Sequence, residues 1–102
     1  MGAEAFTHEV TALTPRAGFE ALVKKAQYDY GHAPYNGTIS TCEMGRCTKV
    51  FTQATPENMK KAYEYVEEQN FGSKWVADYI DLGPTKRANK KHVYLFYGWA
   101  SC

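Results

Sequence analysis

The chain has 102 residues, 44% of them hydrophobic and 23% charged, and a formal net charge of +1. That length makes one domain spanning residues 1–102, able to bury a core without metal or disulfide, and the composition argues against disorder. The near-zero charge excludes a molecule-wide field for nucleic acid or anionic membrane, and no apolar run approaches the roughly 20 residues of a bilayer span.

In chain order, Phe6 to Leu13 alternates, with Phe6, His8, Val10 and Ala12 on one side, the pattern of a half-buried strand. Thr14-Pro15 then sets a cap and a first-turn proline, and Phe19, Leu22, Val23, Ala26 and Tyr30 recur at helical spacing. This predicts a helix over 15–30, ended by Gly31. Thr38–Cys42 and Thr48–Thr52 are short β-rich runs around Met44-Gly45-Arg46 and read as a hairpin. Thr55-Pro56 repeats the helix start, Met59, Ala62, Tyr63 and Val66 form the inner stripe, and Phe71-Gly72 supplies the stop. Two further strands, Lys74–Leu82 and His92–Ala100, flank a basic loop over residues 83–91.

The resulting order is β-α-β-β-α-β-β. It predicts an α+β domain with a largely antiparallel sheet and two helices on one face, ferredoxin-like with an added C-terminal strand.

The strand His92–Ala100 has no polar alternation: Tyr94 and Phe96 face one way, and Val93, Leu95, Tyr97 and Trp99 the other. Such a strand is buried on both sides. If both helices share one face, the other needs a cover, either the chain's own loops or a protein partner or second copy meeting Tyr97 and Trp99. Eight Tyr, five Phe and two Trp exceed the usual need of a small core, so some rings are expected on a surface or in a pocket.

Tyr28, Tyr30, His32, Tyr35, Asn36 and Thr38 gather rings and hydrogen-bonding groups in eleven residues. Those types suit a small polar ligand with a planar part, such as a nucleotide; they also suit an ordinary helix-to-strand connection with tyrosines on the core. Lys86, Arg87, Lys90 and Lys91 suit phosphate, with Trp75 and Tyr94 as stacking surfaces for a nucleic acid, or a solvated hairpin tip. An enzyme acting on nucleotides or phosphoesters would use His32 as acid or base and Lys86 or Arg87 beside a developing oxyanion.

Asp78 lies on the apolar side of its strand, where a carboxylate needs a partner. His8 reads as a hydrogen-bonded core histidine. Cys42 and Cys47, with His32 and His92, are zinc-type ligands at spacings that do not suit zinc, so reduced structural thiols are expected and no metal or cofactor. The odd number of cysteines, three with Cys102, and the absence of a leader-like stretch point to a reduced, cytoplasmic setting.

Two segments, Ala26-Gln-Tyr-Asp-Tyr-Gly-His-Ala-Pro-Tyr-Asn-Gly-Thr-Ile39 and Tyr94-Leu-Phe-Tyr-Gly-Trp-Ala-Ser101, resemble a set of short, uncharacterised proteins encoded by bacteriophages. They cover about a fifth of the chain. By analogy, the resemblance implies a non-enzymatic protein that binds and blocks a component of the host cell, such as a defence system.

Overall fold

The computed structural model describes residues 3–30, 39, 42–84 and 91–101, with only the backbone of Ala3, Tyr30 and Ser101. The elements are β1 (Ala3–Ala12), α1 (Pro15–Tyr30), β2 (Glu43–Val50), α2 (Pro56–Glu68), β3 (Val76–Pro84) and β4 (His92–Ser101). The α+β class stands, with two helices and one sheet.

Both helices start as their sequences dictate. The Thr14 hydroxyl accepts the Ala17 N–H at 3.1 Å, and the Thr55 hydroxyl accepts the Asn58 N–H at 3.1 Å. In each case proline follows the cap, where its missing N–H is no loss. The end of α2 comes earlier than the Phe71-Gly72 stop. Asn70 turns left-handed, its N–H donates to the Glu67 carbonyl at 3.0 Å, and the Phe71 N–H donates to the Val66 carbonyl at 2.9 Å. This is a Schellman closure, and asparagine allows it because it tolerates positive φ better than most residues.

The strand order is β1-β4-β3-β2. β4 runs antiparallel to both β1 and β3, while β2 runs parallel to β3. A parallel pair needs a crossover, and α2 supplies it. The expected hairpin loop Met44-Gly45-Arg46 is instead part of strand β2, which runs straight through it. Of the expected first hairpin strand, Thr38–Cys42, only Ile39 and Cys42 are described, and the Cys42 N–H donates to the Ile39 carbonyl at 3.0 Å. Gly45 marks irregular pairing rather than a reversal, since the β2–β3 register shifts between Met44 and Cys47 and again between Cys47 and Lys49. Among the described residues, the ferredoxin-like order gives way to this four-stranded mixed sheet.

The helices also divide the sheet between them. Tyr94, Phe96 and Ala77 pack with Phe6, Phe19 and Ala26, which brings α1 onto one face. Leu95, Tyr97, Ile80 and Leu82 pack with Ala62 and Val66, which brings α2 onto the other. Consecutive strand residues point to opposite faces, so the alternation along β4 assigns each helix its own side. The physical reason is the sequence of β4 itself: apolar on both faces, it needs two covers, and two helices are present. Fully burying Ile80, Leu82 and Leu95 contributes roughly 1.5–3 kcal/mol each.

Candidate functional site

The cover on the second face stops short of the end of the sheet. Between the last turn of α2 and strands β2, β3 and β4 lies a cleft of ≈ 480 Å³, lined by Arg46, Cys47, Thr48, Tyr65, Gln69, Gly72, Ser73, Asp78 and Tyr97. That volume is in the range of small-molecule sites.

Its floor is built by β3 and β4. Asp78 pairs across the sheet with Tyr97, so both side chains rise on the α2 face. The Tyr97 ring is buried, 1% exposed, and its hydroxyl lies 2.7 Å from the Thr48 hydroxyl of β2. Tyr65, from α2, donates to the Thr48 carbonyl at 3.4 Å. Burial pushes the Tyr97 phenol up, the Thr48 hydrogen bond acts in the opposite direction, and the Asp78 charge adds to the rise. The phenol therefore stays neutral at physiological pH and remains a hydrogen-bond donor.

The Asp78 carboxylate accepts the backbone N–H of Arg46 at 3.1 Å. Gly45 makes that approach possible, because a Cβ there would collide with the Asp78 carboxylate and lie 2.7 Å from a Val76 methyl. A carboxylate offers about four acceptor positions, so Asp78 keeps acceptor capacity towards the cleft. Arg46 belongs to neither ion pair among the described residues, Lys61–Glu57 and His92–Asp81.

The turn after α2, which supplies Gly72 and Ser73 to one wall, is strained. Asn70, Phe71 and Gly72 take φ of 53°, 60° and 77° in succession, and Trp75 takes 70°. Left-handed backbone at a bulky residue costs of order 1–3 kcal/mol and persists only where surrounding contacts hold it. Trp99 provides several of those contacts. Its indole N–H donates to the Asn70 carbonyl at 2.8 Å, its ring meets Phe71 edge-on at 6.2 Å, and its backbone bonds Ser73 and Trp75. Gly72 then lies flat on the Tyr97 ring, where a Cβ would come within 2.9 Å.

Several sequence expectations land elsewhere. Tyr97 and Trp99 were expected to be covered by the chain's own loops or by a partner; α2 and the turn after it cover Tyr97, and Trp99 is half-buried as a clamp on that turn. Tyr28 is 91% exposed on α1. His32, Tyr35, Asn36, Thr38, Lys86, Arg87 and Lys90 lie outside the described residues, as does the Tyr30 side chain, and Lys91 is exposed just before β4. Tyr94 is buried against Tyr79 and is not a stacking surface. His8 is not a hydrogen-bonded core residue: it stacks on Phe6 at the surface, at a ring distance of 5.7 Å. His92 pairs with Asp81 at 2.9 Å, and among the described residues no three His, Cys, Asp or Glu side chains gather as metal ligands.

Sequence reading singled out Asp78 and Tyr97 but not the cleft they share. Arg46, Thr48, Tyr65, Gln69 and Ser73 carry no local motif, and only the pairing of β2 with β3 under the end of α2 brings them together. Gly45 inside a β-rich run was the one available signal.

Fold and cleft together define a small α+β domain with a polar pocket at one end of its sheet. No protein-family model, no curated protein and no solved structure matches the chain. Among the described residues, no helix is long and apolar enough to cross a membrane.

Proposed function

We propose that this chain is a small binding protein that holds a nucleotide-like ligand in the cleft between α2 and the sheet. The observation that carries the reading is a cleft of small-molecule size in which a carboxylate, an arginine and several hydroxyls converge under a strained, clamped turn. The helix cap accounts for Asn70, but Phe71 and Trp75 are bulky residues held left-handed beside the cleft, and outliers of this kind cluster at ligand sites. The rigid turn also limits the ordering cost of binding.

The resemblance to short phage-encoded proteins supports a biological setting for this reading. A phage protein that captures a nucleotide signal, or the host protein that uses it, acts as an inhibitor of a bacterial defence system. Isothermal titration of the full chain against a panel of mononucleotides and dinucleotides tests the binding step. Saturable 1:1 binding that Tyr97→Phe or Ser73→Ala weakens supports the reading; heat signals no different from buffer across the panel refute it.

A further inference from the structure

The cleft has a polarity that narrows its ligand. Asp78 contributes a carboxylate with spare acceptor positions, held by one backbone N–H. The C-terminal end of α2 borders the same space, and its last turn carries no basic residue. Asp78 is the acid among the lining residues, and its side of the cleft asks for hydrogen-bond donors. Arg46 is the exception, and its guanidinium is in no ion pair among the described residues.

From this the geometry points to a guanine nucleotide as the ligand, with Asp78 as the residue that selects the base and Arg46 as the phosphate partner. This rests on the nucleotide reading above. The chemistry is a matter of matching edges. Guanine presents two adjacent donors, the ring N1–H and the exocyclic amine, and these fit the two oxygens of a carboxylate. Adenine and cytosine place an acceptor nitrogen beside their amine, which would face a carboxylate oxygen repulsively. Uracil flanks its single N–H with two carbonyls. Hypoxanthine keeps the N1–H and lacks the amine. A guanidinium group offers a similar donor pair, so free arginine derivatives are the relevant competitor.

The test is calorimetric titration of the full chain with GMP, guanosine, IMP, AMP, CMP and arginine amide, repeated with Asp78→Asn and Arg46→Ala. GMP is expected to bind roughly 10- to 100-fold tighter than AMP or CMP, the range set by one good bidentate contact. IMP should fall between them. Asp78→Asn should remove most of the preference, and Arg46→Ala should weaken GMP while leaving guanosine nearly unchanged. If Asp78→Asn does not fold, the wild-type comparison of GMP with IMP and AMP still decides. Nucleotides binding without preference for guanine, GMP binding that ignores Asp78→Asn, or arginine amide binding more tightly than GMP would each overturn the guanine assignment while the nucleotide reading stands. No binding by any nucleotide overturns both.

Discussion

Replacing Gly45 by alanine should disturb the cleft from below while leaving the core intact. The added Cβ would overlap the Asp78 carboxylate, sit 2.7 Å from the Val76 Cγ1 and 3.1 Å from the Ala77 carbonyl oxygen. Asp78 is the cheaper group to move, because its carboxylate is the far end of a flexible side chain. Moving it breaks the 3.1 Å bond from the Arg46 N–H, a bond to a charged acceptor worth about 1.5–3 kcal/mol in a favourable setting and less at this exposed position. The Val76 methyl and the strand backbone must also give, as in any overpacked site, at about 1–3 kcal/mol. A total destabilisation of about 2–4 kcal/mol follows, or a melting point lower by roughly 4–8 °C per kcal/mol for a domain of this size. The assay is chemical denaturation of wild type, Gly45→Ala, Asp78→Ala and the double variant. With the carboxylate gone, the alanine has space, so Gly45→Ala should cost about 1 kcal/mol less in the Asp78→Ala background. Equal cost in both backgrounds would show that the glycine serves the strand and not the carboxylate.

Trp99→Ala should cost about 3 kcal/mol, from lost packing together with release of the Asn70–Trp75 turn, and amide exchange at Gly72 and Ser73 should accelerate well beyond that at Leu95. Asn70→Gly should be neutral to stabilising by up to about 1 kcal/mol in thermal melts, since glycine takes φ of 53° without steric cost; a clear loss would mean the Asn70 side chain has another task. Thr55→Ala should cost about 1 kcal/mol by removal of the cap on α2, measured by urea denaturation. Partial desolvation of this surface ring first, and then the nearby Lys25 charge, lower the His8 pKa from its ordinary 6.5. Between the folded value and 6.5 the unfolded chain binds more protons than the folded one, so stability rises with pH through that window and falls on acidification below 6.5. His8→Gln should flatten that part of the curve of melting temperature against pH; an unchanged curve would assign the acid sensitivity to other groups.

The sequence by itself determined the helices and the two-faced strand. Thr14-Pro15 and Thr55-Pro56 specify their helix starts through local hydrogen bonds that need no tertiary partner, and the apolar stripes follow from a period of 3.6 residues. The residues of β4 divide between its two faces as their alternation requires, because the pleat leaves no other choice. Which helix lies on which face was not legible, since a stripe says that a helix buries one side and not against what. Nor was the fate of Met44-Gly45-Arg46 legible: a glycine in a β-rich run marks either a reversal or a close approach, and only the neighbouring Asp78 decides between them. Tertiary structure alone made the cleft. Its residues come from four elements and the turn before β3, and they meet because β2 pairs in parallel with β3 while α2 ends one turn short of covering them.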